Sequence, residues 1–146
     1  MINELAFAFV IVAICVVIHT VGIVALAEWL LNRREKLEQH YGMARFTLSL
    51  IIVFAVIVVL HLSEAAFWAA FYQRWQLFPN FETSFYFSLT SYSTAGYGDV
   101  LLPQRWRLLG CVEGISGVLL CGLSTAFLFV VVNALIQIRA EHRDES

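Results

Sequence analysis

A short run of small and polar residues could bind a cation through its backbone. Residues 94–99 read Thr-Ala-Gly-Tyr-Gly-Asp, with two glycines separated by one tyrosine. A cation that leaves water must exchange its hydration shell for other oxygens, and backbone carbonyls supply these densely. Turning successive carbonyls toward one axis requires backbone angles that most residues resist, whereas Gly96 and Gly98 adopt them at low steric cost. The two glycines therefore allow this segment a backbone that turns its carbonyls toward one axis.

The composition places this segment in a membrane protein. Of the 146 residues, 60% are hydrophobic and 14% are charged, whereas globular domains are about 45–50% apolar and roughly 25% charged. A core this small cannot hide so much apolar surface from water. The formal net charge of −2 gives no reason to expect nucleic acid as a partner. The three cysteines lie inside apolar runs, which argues against a secreted disulfide framework.

Three apolar stretches are long enough to cross a bilayer, which takes roughly 20 apolar residues in a helix. They run from about Leu5 to Leu31, from Phe46 to Tyr72 and from Trp106 to Ile138. We interpret the first as a retained helix and not a signal peptide. The residues before it contain no Lys or Arg, and it is longer than a signal core.

A shorter apolar segment lies between the second and third stretches. Residues 81–93 are too few to cross a bilayer and too aromatic for a loop in water, which is typical of a re-entrant helix. Pro79 and Asn80 mark its start, because asparagine can cap a helix. Glu82 lies in the first turn, where the helix dipole favours an anion.

The distribution of Lys and Arg predicts the orientation. Residues 32–45 contain four of them and residues 139–146 contain two, whereas the opposite side has three, between 74 and 107. Because positive charge favours the cytoplasm, both basic segments are predicted to be cytoplasmic and the N-terminus external, in the cell membrane. The re-entrant segment then enters from the external face, where Trp75 and Trp106 suit the interface.

The motif in this context resembles the potassium-channel pore family, whose filter is usually written Thr-Val-Gly-Tyr-Gly-Asp. Five of the six residues match, and Ala95 stands where valine is usual. The resemblance covers roughly residues 46–138. It implies an all-α membrane protein with three transmembrane helices and a re-entrant pore helix per chain, assembled as a homotetramer in membrane lipids. It also implies passive conduction of K⁺ and no enzymatic activity.

The resemblance divides the chain into three parts. Residues 1–45 form an extra N-terminal helix and a cytoplasmic loop, residues 46–138 the pore domain, and residues 139–146 a cytoplasmic tail. Within the pore domain it implies an outer helix, a pore helix, a filter and an inner helix at 46–72, 81–93, 94–98 and 106–138.

The resemblance also implies roles for individual residues. The filter residues would coordinate K⁺ through their backbone carbonyls, with the threonine hydroxyl as a further ligand: Thr94, Ala95, Gly96, Tyr97 and Gly98. Asp99 would follow the filter at its outer mouth and help to hold its shape. Two departures from the family weaken the match. Ala95 lacks two methyl groups of valine. Phe87 stands where family members often have tryptophan, and it has no N–H to hold Tyr97.

Two glutamates lie inside the predicted spanning helices. A carboxylate at the middle of a bilayer costs roughly 2.5–3.5 kcal/mol on insertion scales, so such a residue usually faces protein partners. At 1.5 Å per residue, Glu64 and Glu113 lie roughly 13 and 12 Å below the outer surface, at the depth of the re-entrant helix. We predict that both support this helix and the filter by accepting hydrogen bonds; the alternative is a local pair of Glu64 with His61. The candidate donors are Ser88, Thr90, Ser91 and Ser93.

Small residues recur at helical spacing in the third apolar stretch: Gly110, Gly114, Gly117, Cys121 and Ser124. Packing against the re-entrant helix is the simplest explanation of this stripe. By resemblance, Gly117 is a candidate hinge of an inner-helix gate. The first helix lies outside the minimal two-helix pore; it could pack around the rim of the tetramer or bind an unknown membrane partner. His19 within it is interpreted as a packed polar contact.

Other functions remain open at this point. Ala95 suggests a cation channel that discriminates poorly between K⁺ and Na⁺. A non-conducting subunit that keeps the pore fold and binds a partner through its first helix is a further alternative. The pattern Gly-Tyr-Gly-Asp also fits intramembrane aspartyl proteases, but that chemistry needs two neighbouring carboxylates. The other aspartate, Asp144, lies on the predicted opposite side of the membrane.

Overall fold

The computed structural model describes residues 2–32 and 43–144, and within these ranges the chain contains α-helices and no β-strand. A single 3-10 turn, Gln104–Trp106, precedes the last helix. The helices are α1 (Ile2–Leu31), α2 (Met43–Arg74), α3 (Phe81–Tyr92) and α4 (Arg107–Asp144). The predicted all-α fold is confirmed.

Three of these helices are long and apolar enough to cross a membrane. The candidate spans are Glu4–Leu31, Ala44–Arg74 and Gln104–Gln137. Each helix continues a few residues beyond the apolar stretch found in the sequence, because polar residues can extend a helix past the membrane-compatible part. The ends of helices are also the least sharply defined positions.

Helix α3 begins where its sequence signals predict. The Asn80 side chain accepts a hydrogen bond from the backbone N–H of Thr83 at 2.8 Å, which caps the helix. Glu82 occupies the first turn. The helix ends at Tyr92, one residue before the predicted end, and the N–H of Thr94 turns back to the carbonyl of Ser91 at 3.0 Å.

The four helices form one bundle in which α1 packs against α2 and α4, and α3 packs against the same two helices. A core near α3 includes Trp68, Tyr72 and Phe87, and the Tyr72 and Phe87 rings meet edge to face with centroids 5.4 Å apart. A second core at the other end of the spans includes Leu26 and Val53. Helix α1 therefore contributes to both cores.

Contacts near α3 show that three helix ends lie at the same end of the bundle. The Nε of Arg105, at the start of the last span, lies 2.5 Å from the Oε1 of Glu4 at the start of α1. The ring centroids of Trp75 and Trp106 are 5.5 Å apart, and those of Phe7 and Trp75 are 5.4 Å apart. The start of α1 therefore lies at the same end of the bundle as the segment between α2 and α4.

Candidate functional site

The motif segment, residues 94–99, follows the end of α3 and has an unusual backbone conformation. Its φ angles are +59° at Thr94, +49° at Gly96 and +77° at Gly98, so alternate residues are left-handed. Left-handed backbone angles cost a residue with a side chain roughly 1–2 kcal/mol. Thr94 bears this cost, whereas the two glycines avoid it. The N–H of Gly96 donates to the carbonyl of Thr90 at 3.0 Å, which ties the loop to the last turn of α3.

The loop is open on the single chain. Residues 93–99 are all exposed, and Tyr97 exposes 73% of its surface. Both glycines have open space where a Cβ would lie, with no other heavy atom within 4 Å. Within the single chain, the backbone conformation and not crowding is therefore what favours glycine here.

Asp99 ties the outer end of the loop back to α3. The Tyr86 hydroxyl donates to Oδ2 of Asp99 at 2.7 Å. This hydrogen bond lowers the pKa of Asp99, because it favours the charged carboxylate. The resemblance implied a shape-holding role for Asp99, whereas Tyr86 was not predicted as its partner. The sequence could have indicated this contact, because a tyrosine hydroxyl is a hydrogen-bond donor that reaches further than a serine hydroxyl.

Glu113 is fully buried and joins α4 to both neighbouring helices. It accepts hydrogen bonds from the Tyr72 hydroxyl at 2.6 Å and from the Ser88 hydroxyl. Ser88 also approaches the carbonyl of Ala65 at 2.7 Å, so α2, α3 and α4 meet at this point. Of the predicted donors, Ser88 makes the contact.

Two other predicted donors do not face the glutamates. The Thr90 hydroxyl donates to the carbonyl of Phe87 at 2.9 Å, and the Ser93 hydroxyl donates to that of Leu89 at 2.6 Å. Both bonds stay within the helix's own backbone. Short hydroxyl side chains often bond locally in this way.

Glu64 makes both contacts that the sequence analysis treated as alternatives. It accepts a hydrogen bond from the Tyr92 hydroxyl, at the end of α3. The Nδ1 of His61, one helical turn away, lies 3.3 Å from Oε2 of the same carboxylate. Nδ1 of His19 in α1 lies 2.8 Å from Oε1. The carboxylate thus links α2 to α1 and to α3, and Tyr92 and His19 are partners that sequence reasoning missed.

Three glycines of α4 let α3 approach closely. A Cβ on Gly117 would lie 2.1 Å from the carbonyl oxygen of Tyr92, and one on Gly114 would lie 3.1 Å from that of Ser91. A Cβ on Gly110 would lie 3.1 Å from the ring of Phe87. These three positions pack against the re-entrant helix, whereas Cys121, assigned to the same stripe, is exposed.

The part of the chain that contains most of α2, all of α3, the glycine loop and most of α4 matches a known family. The family described as "Ion channel" matches residues 46–134, which is more than half of the chain. The chain belongs to the ion channel family. Comparisons with curated proteins and with solved structures gave no match. Together with three apolar helices, the family makes the chain a multi-pass membrane protein, and α1 of this channel lies outside the matched region.

Beyond the loop, the channel contains a group of five polar side chains, of which four are buried and His61 is partly exposed. We call this group the polar network: His19, His61, Glu64, Tyr92 and Ser124. Nδ1 of His61 lies 2.9 Å from the Tyr92 hydroxyl, and Nε2 lies 3.0 Å from Oγ of Ser124. That same Oγ lies 3.1 Å from Nε2 of His19. Each of the four helices contributes at least one member, so the polar network connects α1 of the channel to α2, α3 and α4.

Three members of the polar network also have metal-ligating atoms. These atoms of His19, His61 and Glu64 lie within 4.8 Å of one another, close enough for one ion. Each residue already has hydrogen-bond partners within the polar network, at 2.8 Å for His19 with Glu64 and 2.9 Å for His61 with Tyr92. In this structure these side chains make hydrogen bonds within the polar network.

Proposed function

We propose that the channel selects K⁺ and conducts it passively through a filter formed by residues 94–98 of four identical chains. The observation that carries the proposal is the left-handed backbone at alternate residues of an exposed loop directly after the re-entrant helix, at Thr94, Gly96 and Gly98. A loop of this kind suits a ring of backbone carbonyls that replaces the hydration shell of K⁺.

Each filter residue then has a defined role. Thr94, Ala95, Gly96, Tyr97 and Gly98 supply carbonyl oxygens to K⁺. Helix α3 ends at Tyr92, so the negative end of its dipole lies close to the start of this path and attracts the cation. Asp99 holds the outer end of the loop through Tyr86. Glu64 and Glu113 hold α3 from behind through Tyr92 and Ser88.

Assembly from several copies is part of the proposal, because each chain has one filter loop. An open groove of about 410 Å³ lies beside the loop, and its walls are mostly apolar side chains and glycines of α4. The residues lining it are Thr94, Gly110, Cys111, Gly114, Ile115, Val118 and Leu119. Neighbouring copies around a four-fold axis cover this face, and four is the number that the resemblance implies.

The proposal also includes an orientation. The filter loop lies at the same end of the bundle as the start of α1, where Arg105 meets Glu4. The strongly basic connection at 32–45 follows the opposite end of α1. The positive-inside rule then places the filter at the external face of the cell membrane and the C-terminus in the cytoplasm.

The test is ion flux into liposomes that contain the purified channel, with K⁺ and Na⁺ gradients compared under the same conditions. We expect K⁺ to enter and Na⁺ to be largely excluded. Equal flux of both ions would contradict this selectivity and support the second candidate, a weakly selective cation channel. Ala95 favours that candidate, because it leaves less side chain behind the filter than valine would. No flux from folded protein would contradict both.

A pair of glycine variants tests whether the filter backbone carries the flux. Gly96→Ala should abolish K⁺ flux, because alanine at a positive φ costs roughly 1–2 kcal/mol and the loop relaxes to another shape. Gly122→Ala in α4 is the matched control, since its Cβ also meets nothing within 4 Å and its φ is not positive. If Gly96→Ala conducts like the unmodified channel, the loop backbone is not the filter.

A further inference from the structure

Three ligating side chains of the polar network meet around one point between α1 and α2. His19 comes from α1, whereas His61 and Glu64 lie one helical turn apart on α2. One ligating atom of each residue lies within 4.8 Å of those of the other two. Nδ1 of His19 lies 2.8 Å from Oε1 of the carboxylate, and Nδ1 of His61 lies 3.3 Å from Oε2. Both rings therefore turn the same nitrogen toward one carboxylate.

The spacing of these atoms suits a small transition-metal ion. Zn²⁺ binds imidazole nitrogen at about 2.0–2.1 Å and carboxylate oxygen at about 2.0–2.2 Å, usually with four ligands in a tetrahedron. Two ligands of such an ion are therefore about 3.3–3.5 Å apart. The two distances between ring and carboxylate, 2.8 and 3.3 Å, lie close to this range. The limit of 4.8 Å on all three pairs leaves both rings within reach of one ion through side-chain rotation.

The types of ligand favour Zn²⁺ over the common alkaline-earth ions. Imidazole nitrogen suits zinc and its neighbours, whereas Mg²⁺ and Ca²⁺ prefer oxygen ligands. Two histidines and one glutamate are a set with which proteins hold Zn²⁺, with a water at the fourth position. The Glu64 carboxylate offsets part of the charge of the ion inside the membrane. His19 and Glu64 are fully buried and already held by neighbours, so an ion that binds them loses little energy to ordering side chains.

The far sides of the two rings have the partner that a metal site needs. A histidine that binds a metal through one nitrogen usually donates a hydrogen bond from the other, which fixes the ring. Nε2 of His61 and Nε2 of His19 lie 3.0 and 3.1 Å from Oγ of Ser124. A hydroxyl oxygen has two lone pairs, so it can accept from both rings while both Nδ1 atoms bind the ion. The Tyr92 hydroxyl donates to Glu64, as outer partners of ligating carboxylates do.

We propose that His19, His61 and Glu64 form a Zn²⁺-binding site that joins α1 to α2, with Ser124 and Tyr92 as its outer partners. The ion replaces the hydrogen bond between His19 and Glu64 and the contact between His61 and Tyr92 with bonds to the metal. Because the ligands come together only in the folded chain, the free energy of metal binding stabilises the packing of α1. This inference goes beyond conduction and gives α1 a defined role in the channel.

The test is the metal content of the purified full-length channel. The chain has four histidines, so the two outside the candidate spans are replaced in every sample (His40→Gln and His142→Gln), and the purification tag contains no histidine. Zn²⁺ is supplied during expression, because two of the three ligands are fully buried in the folded chain. After dialysis we expect one Zn²⁺ per chain and no retained Mg²⁺. A folded channel that retains no Zn²⁺ would overturn the proposal.

Co²⁺ supplied in place of Zn²⁺ reports the geometry of the site. Four-coordinate Co²⁺ absorbs visible light much more strongly than six-coordinate Co²⁺ in water, and geometry is diagnostic of the ligand set. We expect the strong bands in the unmodified site and their loss in His61→Gln, which removes one ligand. Ser63→Ala is the matched control, since Ser63 lies on the same helix but is exposed and donates to the carbonyl of Leu60 at 2.7 Å. Equal bands in the two variants would contradict the proposal.

A serine pair keeps the test sharp if His61→Gln fails to fold. Ser124→Ala removes the outer partner of both rings and keeps all three ligands, so the affinity for Zn²⁺ in competition with a chelator should fall roughly 10–100-fold. Ser116→Ala is the matched control, since Ser116 is equally buried in α4 but donates to the carbonyl of Glu113 at 2.7 Å. Equal affinity in both variants would count against the proposal. Metal content does not depend on ion flux, so its outcome is separate from that of the conduction test.

Discussion

At the scale of single residues, the loop after α3 combines a left-handed backbone at its start with a side-chain hydrogen bond at its outer end. Thr94 takes a left-handed backbone immediately after α3, although a residue with a side chain pays for this conformation. Asp99 ends the same loop on the hydroxyl of Tyr86. The loop is therefore attached to α3 at both ends, by backbone bonds at the start and by a side-chain bond at the outer end.

The hydrogen bond between Tyr86 and Asp99, which attaches the outer end of the loop to α3, should weaken in acid. The Tyr86 hydroxyl lowers the pKa of Asp99 below the ordinary value of about 3.9. A lowered pKa means that the contribution of the carboxylate is complete above the ordinary value and is lost as the pH falls through the lowered one. Tyr86→Phe removes the donor, so Asp99 should take up its proton at a higher pH than in the unmodified channel.

Carboxyl ¹³C NMR can measure this titration, because Asp99 and Asp144 are the two aspartates of the chain. Tyr72→Phe is the matched control, since its hydroxyl donates to Glu113 and should leave Asp99 unchanged. An identical Asp99 titration in Tyr86→Phe and in the unmodified channel would show that the hydrogen bond does not hold the loop.

At the scale of helices, α3 is held between α2 and α4 by close backbone approach and by buried carboxylates. Gly117 lies directly against the carbonyl of Tyr92, and Gly114 against that of Ser91. Glu113 accepts one hydrogen bond from a hydroxyl of α2 and one from a hydroxyl of α3. These contacts give Gly117 a packing role that needs no hinge, whereas the hinge suggested by resemblance stays a prediction.

Gly117→Ala separates packing from hinge motion. Its Cβ would lie 2.1 Å from the Tyr92 carbonyl oxygen, so the backbones of α3 and α4 must move apart. Overpacking of this kind typically costs about 1–3 kcal/mol, and we expect a lower unfolding temperature in detergent. Gly122→Ala should have no such effect, because its Cβ meets open space. Unchanged stability in Gly117→Ala with altered gating would instead favour the hinge.

At the scale of the whole molecule, α1 belongs to the folded unit although the family match leaves it out. Glu4 meets Arg105 at one end, His19 joins the polar network in the middle, and Leu26 joins the second core near the other end. Gly22 lies so close to α2 that a Cβ would be 2.5 Å from the Leu60 side chain. Helix α1 therefore packs as part of each chain's own core.

The exposed loop at 93–99 and the open groove on α4 are consistent with assembly from several copies, and four is the number that the resemblance implies. Ile115, Val118 and Leu119 are large, apolar and exposed along the face beside Thr94. Native mass spectrometry of the purified channel should give the mass of four chains. A monomer or dimer that still conducts K⁺ would contradict the proposed assembly.

The sequence by itself determined the elements of this protein. The lengths of the apolar stretches predicted three spanning helices, and Asn80 predicted the start of α3 to the residue. The motif predicted the family, which the match at residues 46–134 confirmed. These features are local, because helix length, capping and glycine spacing depend on residues near one another in the chain.

Only the tertiary structure decided which side chains meet. The depth of Glu64 and Glu113 was readable from helical rise, but their donors proved to be mainly tyrosines of neighbouring helices, and His19 entered from α1. Depth along a helix follows from residue number, whereas the direction that a side chain faces depends on how the helix is rotated about its axis. That rotation is set by packing against the neighbouring helices, here through the close approach of Gly117 to Tyr92 and of Gly22 to Leu60.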